Sequence, residues 1–398
     1  MRILFAQDAL HGAGGVESYL AHVIPALRAH GHSVAMLFAE RRDAAALVRG
    51  IDGPIVGAAG RDLDDVVAEF RRWGANVCFS HNMAPLHVEQ RLLGEWPVVK
   101  FMHGYFGTCV SALKMHAFPG HSVCERRLGA ACLALYGPRR CGPLRPGAMV
   151  RGYRWANGQR RLLDRYAAVV VASAHMAAEF SRHGVADDRL KLIPLFPTIT
   201  PLSPPHTPGT SVLFLGRMTS LKGGDILIDA VAHASRTLGR AVPLVMAGDG
   251  PARGAWERRA VRARVGADFP GWLDADGRAA ALAKAAVLAV PSVWPEPFGL
   301  VGLEAASMGV PSVAFEVGGI PEWLHHRTNG LLVPSTGGAR AFASALAEVL
   351  DDAPLRARLG AGALVRARQL SLDAHVGALL DVLERAASLT DRRVVAAR

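Results

Sequence analysis

The chain has 398 residues, which is enough for two domains of ordinary size. Hydrophobic residues make up 51% of it and charged residues 20%, which excludes a disordered chain, and no uninterrupted apolar run of about 18 residues is present to span a membrane. The net charge of +11 is uneven, because residues 114–165 hold eleven basic and two acidic side chains, a net of +9. That segment does not interleave aromatic and basic residues as a nucleic-acid-binding surface would, so we expect no nucleic-acid partner.

The first half of the chain alternates apolar strands with helical segments. The apolar stretch within Met1–Asp8 is too short for a secretion signal and predicts a first strand, so we expect a cytoplasmic protein. The spacing of apolar residues predicts a helix over Val16–His30. The predicted strands are Ile3–Ala6, Val34–Phe38, Val77–Phe79, Val98–Met102 and Ala168–Ala172. Repeated strand–helix units predict a parallel sheet with helices on both faces.

A proline-rich segment separates two series of strands. It has five prolines between Phe196 and Thr210, and it predicts a stiff linker over residues 198–210 between domains at 1–197 and 211–371. Residues 372–398 predict a helix that packs back on the first domain. The second series of strands is Val212–Leu215, Pro243–Ala247, Val287–Val290, Pro311–Phe315 and Gly330–Val333. The predicted fold class is therefore α/β, with two doubly wound parallel-sheet domains facing across a cleft that binds ligands at the carboxyl ends of the strands.

Two carboxylates flank the turn that follows the strand Val287–Val290. Glu296 precedes the turn, and Glu304 lies eight positions further on, inside a helix predicted over Gly299–Gly309. The N-terminus of such a helix has free N–H groups and a partial positive charge, which suit a phosphate or a sugar hydroxyl. The carboxylates suit the hydroxyls of a ribose and a hexose, so the pattern predicts a nucleotide-sugar site. An ordinary strand-to-helix turn with two surface acids is the alternative.

The loop after the strand Val212–Leu215 carries two cations. Gly216 opens this loop, and Arg217 and Lys222 precede two glycines that begin the next helix. Cations beside a glycine-rich helix start predict a clamp for a diphosphate, although the glycine spacing is not that of a Walker A loop. A solvated loop with two ordinary bases is the alternative. Gly248 begins a tight turn after the next strand. This turn either has no role in binding or lies near the nucleotide base, and the sequence favours neither interpretation.

Glycines and histidines follow predicted strands in the first domain. Gly14 and Gly15 allow the backbone to approach a phosphate, while the absence of a G-x-G-x-x-G pattern argues against a nicotinamide site. His81 and His103 each lie just past a strand end. We predict that His103 belongs to the sugar site, whereas a structural role is the favoured alternative for His81.

Together these motifs resemble glycosyltransferase family 4, the retaining group 1 glycosyltransferases with the GT-B fold. The resemblance covers nearly the whole chain in the family's order. Its matching segments are Gly14–Glu17, His103, Phe214–Arg217 with Lys222–Gly223, Ala247–Pro251, Phe269–Gly271, Pro291–Ser292, Glu296–Val301, Glu304–Ala305 and Gly318–Glu322. It implies transfer of a hexose from a nucleotide-diphosphate sugar, such as a UDP- or GDP-sugar, to a saccharide or lipid-linked acceptor in bacterial polysaccharide or glycoconjugate synthesis.

The resemblance also implies a role for each matching residue. Arg217 and Lys222 would hold the donor diphosphate, and Glu304 would accept hydrogen bonds from the ribose hydroxyls. Glu296 would accept from hydroxyls of the transferred sugar, and His103 would lie beside that sugar. The backbone amides expected to line the phosphate and the hexose are those of Gly14, Gly15, Phe298, Gly299, Leu300 and Val301. No metal, other cofactor or protein base is implied.

A long basic segment, residues 105–165, departs from the family pattern. Its cysteines are spaced by 15, 8 and 9 positions with no C-x-x-C pair, so unlinked cysteines are favoured over a zinc site. The basic run Met149–Leu163 predicts either peripheral contact with an anionic membrane or a solvated helix face. The cysteines in question are Cys109, Cys124, Cys132 and Cys141.

Two other functions compete with the transferase. A nucleotide-sugar epimerase of similar two-domain architecture would need no acceptor. A non-enzymatic basic protein that binds nucleic acid would show salt-sensitive affinity and would be indifferent to substitution of Glu296.

Overall fold

The structure is a computed structural model that describes residues 1–9, 14–40, 50–199 and 209–396, with side chains described as far as residue 389. Within these ranges the chain divides into two units. Unit 1 comprises Met1–Gly120, Cys124–Pro194 and Leu372–Arg398, and unit 2 comprises His121–Val123 and Leu195–Ser371. Most of the predicted linker, residues 200–208, lies outside the described residues.

Unit 1 is built on a parallel sheet. The strands in the first half of the chain are β1 (Arg2–Ala9), β2 (Ser33–Glu40), β3 (Ile55–Gly57), β4 (Val77–Ser80), β5 (Val98–Met102), β6 (Met115–His116), β7 (Ser122–Val123), β8 (Ala168–Val171) and β9 (Leu190–Leu192). The seven-stranded sheet has the order β3-β2-β1-β4-β5-β8-β9, and its pairings are parallel. The strand order reverses between β1 and β4, which is where a doubly wound sheet opens a crevice.

The strands of this sheet are apolar on both faces. Every residue of β4, β5 and β8 is buried, as expected for parallel strands covered by helices on both sides. This continuous burial explains why short apolar runs predicted these strands. The edge strands β3 and β9 have three residues each, which is too few for a pattern, and they were not predicted.

Helices alternate with the strands in the first half of the chain. They are α1 (Gly15–Ala29), α2 (Leu63–Trp73), α3 (Leu86–Glu95), α4 (Ala131–Tyr136), α5 (Pro146–Arg160) and α6 (Ala174–Arg182). Helix α1 buries Tyr19, Leu20, Val23 and Leu27, the helical spacing from which it was predicted, and it also buries Ile24. Asp62 caps the N-terminus of α2, where its side chain accepts from the Asp64 N–H, and Gly74 in the left-handed region caps the C-terminus.

Unit 2 contains a second parallel sheet. Its strands are β10 (Ser211–Leu215), β11 (Leu244–Ala247), β12 (Ala267–Gly271), β13 (Ala285–Val290), β14 (Ser312–Phe315) and β15 (Gly330–Val333). The six-stranded order is β12-β11-β10-β13-β14-β15, with parallel pairings that set Val212 opposite both Leu244 and Val287. Strand β12 was not predicted as a strand, because it is half exposed and contains Pro270, features of an edge strand.

Helices connect the strands of unit 2. They are α7 (Gly224–Leu238), α8 (Arg253–Ala263), α9 (Ala275–Ala283), α10 (Leu300–Ser307), α11 (Gly338–Asp351) and α12 (Ala353–Gln369), and short 3₁₀ helices occupy Ser220–Lys222, Ile320–Glu322 and Ser335–Gly337. Helix α13 (Leu372–Ala396) follows them and belongs to unit 1, where it contacts α1, β4 and β5. None of the helices in the described ranges combines the length and apolar character needed to cross a bilayer.

Candidate functional site

The strand order of unit 2 reverses between β10 and β13, and the loops that follow these two strands meet. The Leu221 carbonyl accepts from the Val293 N–H at 3.0 Å and from the Ser292 hydroxyl at 3.2 Å. Both loops leave the carboxyl ends of neighbouring parallel strands, the usual position of a ligand in a doubly wound sheet. The polar residues of both loops are therefore held at one edge of the sheet.

Gly223 permits this close approach of the two loops. Its φ is +67°, and a Cβ atom there would lie 2.0 Å from the Pro291 carbonyl oxygen. No other residue type fits a left-handed position in contact with a neighbouring backbone. The glycine pair that suggested a helix start in the sequence thus also sets the distance between the loops.

An ion pair joins the two loops. The Lys222 Nζ lies 2.6 Å from the Glu296 Oε1, and the two side chains are 28% and 7% exposed. The Lys222 ammonium also lies over the Trp294 ring, 5.3 Å from its centroid. An ammonium has three donors, so Lys222 retains donors for an anionic ligand after it has bonded to Glu296.

Helix α10 begins directly after this ion pair. The Trp323 indole donates to the Phe298 carbonyl at 2.7 Å and so fixes the turn before the helix. Gly299 is the N-terminal cap, and Leu300 and Val301 are the first helical residues, whose N–H groups have no acceptor within an α-helix. This helix start presents backbone donors and a partial positive charge.

Glu304 lies inside α10 and is almost fully buried. Its carboxylate accepts from the Thr198 hydroxyl at 2.8 Å and from two nitrogens of Arg278, at 3.1 and 3.2 Å. Neither partner was predicted from the sequence. Arg278 lies on α9, 26 positions before Glu304, and no local pattern marks such a long-range pairing.

The remaining predicted residues of unit 2 lie at the ends of β10 and β11. Gly216 follows β10 and Arg217 is exposed beside it. A Cβ atom on Gly248, whose φ is +135°, would lie 1.9 Å from the Gly216 carbonyl oxygen. The Met218 N–H also donates to the Asp249 carbonyl at 2.8 Å, so the loops after both strands are tied together.

The two predicted histidines contact each other in unit 1. The His81 Nδ1 and the His103 Nε2 lie 2.9 Å apart. Burial, with a smaller contribution from the charge of Lys100, lowers the pKa of His103 to about 3. Burial also lowers the pKa of His81 well below its ordinary value, so both imidazoles are neutral at physiological pH.

A third histidine belongs to the same cluster and was not predicted. The His375 Nε2 lies 2.9 Å from the Tyr19 hydroxyl, and its Nδ1 lies 2.7 Å from the Pro194 carbonyl oxygen. The Tyr19 ring packs edge-on against His103, with centroids 5.7 Å apart. Because His375 is on the C-terminal helix α13, its sequence position gave no sign of this contact.

Gly14 and Gly15 lie at the start of α1 in unit 1. Gly14 is the N-terminal cap and Gly15 is the first helical residue, so both precede free backbone donors. The structure thus brings Lys222 into contact with Glu296. Gly14, Gly15 and His103 belong to unit 1.

The cysteines of the basic segment are free thiols. Burial, and less strongly the neighbouring thiols Cys109, Cys124 and Cys132, raises the pKa of Cys141 to about 11. In the part of the chain that the structure describes, no group of three or more His, Cys, Asp or Glu residues could hold a metal ion. The zinc alternative therefore has no matching cluster among these residues.

Helix α5 separates an apolar face from a basic face. Met149 and Tyr153 pack against a buried cluster that includes Val110, whereas Arg151 and Arg154 are exposed. Nearby apolar side chains are also exposed, and the Arg140 guanidinium lies 5.3 Å from the centroid of the exposed Phe118 ring. We define the basic surface as Phe118, Arg140, Leu144, Arg145, Val150, Arg151 and Arg154.

The arrangement in unit 2 suits a ligand that carries both phosphates and hydroxyls. Lys222 and the start of α10 supply positive charge and donors, while Glu296 and Glu304 supply acceptors. An isolated anion would gain nothing from two carboxylates. A nucleotide sugar matches both halves of the arrangement.

Comparison with protein families gives two matches. A family described as "Glycosyl transferases group 1" matches residues 209–352, and "Glycosyltransferase Family 4" matches residues 13–196. Together these segments cover most of both units.

Curated relatives match over part of their length. A D-inositol 3-phosphate glycosyltransferase of Jonesia denitrificans is 35% identical over 185 residues, which is 44% of this chain and 43% of that protein. An alpha-D-kanosaminyltransferase of Streptomyces kanamyceticus is 33% identical over 156 residues, 38% of this chain and 39% of that protein. The matching segments therefore span less than half the length of these relatives.

Solved structures share the fold over nearly the whole chain. HepE from Anabaena, solved in complex with UDP, superposes with a TM-score of 0.73 at 19% identity, covering 96% of this chain and 100% of that one. Sucrose-phosphate synthase from Thermosynechococcus elongatus gives a TM-score of 0.67 at 21% identity and covers 99% and 100%. At such identities the likeness concerns the fold.

Proposed function

Because the chain belongs to the group 1 and family 4 glycosyltransferases and has the two parallel-sheet units of the GT-B fold, we propose that it transfers a hexose from a nucleotide-diphosphate sugar with retention of configuration. One observation carries this proposal: Lys222 and Glu296 form an ion pair where the strand order of the second sheet reverses. Charge for a diphosphate and an acceptor for sugar hydroxyls thus lie side by side.

The proposed donor lies along this edge of unit 2. Its diphosphate contacts Lys222, Arg217 and the backbone donors at the start of α10. Its transferred sugar donates hydroxyl hydrogen bonds to Glu296, and its ribose donates to Glu304. Each pairing follows from charge, because cations and helix N-termini bind phosphates and carboxylates accept from hydroxyls. Gly216 and Gly248 belong to the proposed donor site as well, because the missing side chain of Gly248 lets the Gly216 carbonyl approach and keeps the loops after β10 and β11 together.

The chemistry that these residues support is departure of the diphosphate. As the bond between the sugar and the diphosphate breaks, negative charge grows on the leaving oxygen. Fixed cations at that oxygen stabilise the transition state more than the ground state. Lys222 is already held in place by Glu296 and Trp294, so little reorganisation is needed. In this proposal the diphosphate itself assists deprotonation of the acceptor, and no protein base is required.

His103 has a different role in the proposal. It is neutral because burial lowers its pKa to about 3, so it acts as a hydrogen-bonding group beside the sugar and not as an acid. The amides of Gly14 and Gly15, at the start of α1, remain predicted donors to a phosphate or a hexose.

We propose that no metal ion or other cofactor takes part. Lys222, Arg217 and the start of α10 supply the positive charge that a metal would otherwise bring to a diphosphate. Transfer should therefore persist after exhaustive treatment with EDTA. Loss of activity in EDTA that Mg²⁺ or Mn²⁺ restores would contradict this part of the proposal.

Uridine nucleotides are the first donors to test. HepE, which shares the fold, was crystallised with UDP. GDP- and ADP-sugars form the comparison set, because the contacts named above involve the diphosphate, the ribose and the sugar, which all three donor classes contain. The acceptor in our proposal is a saccharide or a lipid-linked saccharide, within bacterial polysaccharide or glycoconjugate synthesis.

The basic surface supports the proposal that this protein is cytoplasmic and contacts the anionic inner face of the cell membrane. Exposed arginines attract anionic headgroups, and the exposed Phe118, Leu144 and Val150 can enter the interfacial region. Such contact would bring the enzyme to a lipid-linked acceptor. It is a separate element of the proposal, because donor binding does not depend on it.

The experiment that tests the proposal is a calorimetric titration with UDP-, GDP- and ADP-glucose, followed by transfer assays with the donor that binds. The wild type should bind one donor class, and Lys222→Ala should bind it at least tenfold more weakly, since a charge-assisted hydrogen bond is lost. The anomeric configuration of the product, read by NMR, should equal that of the donor. An epimerase would instead release UDP without any acceptor.

A further inference from the structure

Arg278 restricts the acceptor capacity of Glu304. Its Nη2 donates to Oε1 of Glu304 at 3.1 Å and its Nε donates to Oε2 at 3.2 Å. The Thr198 hydroxyl donates to the same Oε1 at 2.8 Å. The carboxylate therefore holds three hydrogen bonds from the protein itself.

The Glu304 carboxylate has few lone-pair positions left for a ligand. An ionised carboxylate has about four lone-pair positions, two on each oxygen. Thr198 and Arg278 fill both positions on Oε1, and Arg278 fills one position on Oε2. One position on Oε2 is left. A ribose has two vicinal hydroxyls, each of which would need a position of its own.

Arg278 is not easily displaced by a ribose. A fork of two N–H groups on a carboxylate is charge-assisted, and each of its bonds is about twice as strong as one between neutral groups. The Glu304 side chain is 4% exposed and that of Arg278 is 22% exposed, so water competes weakly for the pair. A neutral hydroxyl that replaced Arg278 would also leave a buried carboxylate without its counter-ion.

We propose that Arg278 is a donor-specificity residue that makes Glu304 a one-hydroxyl acceptor, so that the protein distinguishes the 2′-hydroxyl of a nucleoside diphosphate from the 3′-hydroxyl. This inference rests on the proposed function, in which Glu304 faces the ribose of the donor. Without Arg278, the Glu304 carboxylate would accept from both ribose hydroxyls, and the two hydroxyls would contribute similarly to the binding affinity. The specificity arises because the Arg278 guanidinium competes with the ribose hydroxyls for the Glu304 carboxylate.

The test measures the affinities of UDP, 2′-deoxy-UDP and 3′-deoxy-UDP by calorimetry. In the wild type, one deoxy analogue should bind at least about tenfold more weakly than UDP, because a hydrogen bond to a charged group is lost. The other analogue should bind within about twofold of UDP. In Arg278→Leu, both analogues should be weakened relative to UDP by similar factors.

A second variant, Arg278→Lys, keeps the inference testable if Arg278→Leu fails to fold. Arg278→Lys keeps the positive charge beside Glu304 but cannot span both oxygens with a planar fork. It should therefore also lose the discrimination between the two analogues. The matched control is Arg262→Leu, an exposed arginine on α8, which should discriminate as the wild type does.

The outcomes separate this inference from the proposed function. If wild-type protein binds UDP but both deoxy analogues are weakened equally, the inference is wrong and the proposed function stands. The inference is also wrong, and the proposed function stands, if Arg278→Leu and Arg278→Lys both still discriminate between the two deoxy analogues. If UDP, GDP and ADP all fail to bind, the proposed function falls and this inference falls with it.

Discussion

Lys222 and Glu296 are 74 positions apart in the sequence, and their side chains are 2.6 Å apart in the structure. The pair forms because β10 and β13 are neighbours in the sheet, while the chain between them builds the other side of the sheet with β11 and β12. The loop after each strand contributes one charge. The ion pair therefore depends on a topological feature, the reversal of strand order, and not on a contiguous motif.

The first prediction concerns this ion pair. Lys222→Ala and Glu296→Gln should each lower kcat by roughly two to three orders of magnitude, the usual loss when one preorganised charge or hydrogen bond is removed from a transition state. Lys222→Ala removes charge from the diphosphate directly. Glu296→Gln removes the negative charge that holds Lys222 and replaces one acceptor oxygen by an amide donor. Steady-state kinetics on protein that retains the wild-type melting temperature gives the measurement.

The control for this prediction is Lys284→Ala, at the end of α9, where the lysine side chain is exposed. It changes the net charge by the same amount as Lys222→Ala but leaves the two loops intact. Turnover should remain near the wild-type value. Near wild-type turnover in Lys222→Ala itself would show that the ion pair has no part in the reaction.

The elements beside the ion pair were predictable because their sequence signals are local. An apolar run over Val287–Val290 predicted a strand, and the structure has β13 over Ala285–Val290. A glycine and the apolar residues after it predicted a helix over Gly299–Gly309, and α10 runs over Leu300–Ser307. Both signals come from burial and from backbone conformation within about ten residues.

The partners of Glu304 could not be predicted, because they are distant from it in the sequence. Thr198 lies 106 positions before Glu304, and Arg278 lies 26 positions before it on another helix. Their contacts follow from how α9, α10 and the segment before residue 200 pack, and no periodicity encodes that packing. The same holds for His375, which reaches Tyr19 across 356 positions. Side-chain networks of this kind require the tertiary structure.

A second prediction concerns the close approach of β10 and β11. Gly248→Ala places a Cβ atom 1.9 Å from the Gly216 carbonyl oxygen at a φ of +135°. We expect a loss of about 1–3 kcal/mol in the free energy of unfolding, the usual scale of backbone strain. UDP affinity should fall as well, because the loop that carries Arg217 must shift. Urea unfolding and calorimetry measure the two effects.

Gly266→Ala is the matched control for this substitution. Gly266 lies just before β12, and a Cβ atom there meets nothing within 4 Å. Its stability and its UDP affinity should remain close to those of the wild type. Equal losses in the two variants would mean that the contact with Gly216 is unimportant.

A third prediction follows from the buried histidines of unit 1. The pKa of His103 is lowered from 6.5 to about 3 by burial and that of His375 to about 4. Between pH 6.5 and these values the unfolded chain binds protons that the folded chain does not. Stability is therefore fully present above pH 6.5 and is lost as the pH falls, by up to about 1.4 kcal/mol per pH unit for each histidine.

The variant His103→Gln tests this pH dependence. Urea unfolding at pH 7.5, 6.5, 5.5 and 4.5 should show a shallower loss of stability for the variant than for the wild type. His121→Gln, which removes an exposed histidine, should leave the slope unchanged. An identical slope in wild type and His103→Gln would mean that the folded protein protonates His103 as readily as the unfolded chain does.

A fourth prediction concerns the basic surface. Wild-type protein should sediment with vesicles that contain phosphatidylglycerol and should be released as the salt concentration rises, because exposed charges are screened. Arg151→Gln with Arg154→Gln removes two of its charges, and each contributes about 1 kcal/mol of attraction near an anionic surface. The double variant should bind these vesicles roughly thirtyfold more weakly. Vesicles of phosphatidylcholine alone should retain neither protein.

Net charge is the competing explanation, and a double variant of unit 2 separates the two. Arg258→Gln with Arg262→Gln removes the same charge from exposed positions on α8. If attraction depends on the basic surface, this variant should bind anionic vesicles as the wild type does. If both double variants lose affinity equally, the protein responds to its overall charge and helix α5 is an ordinary solvated helix. Transfer to a water-soluble acceptor should be unchanged in both, since neither pair of arginines lies among the residues proposed to bind the donor.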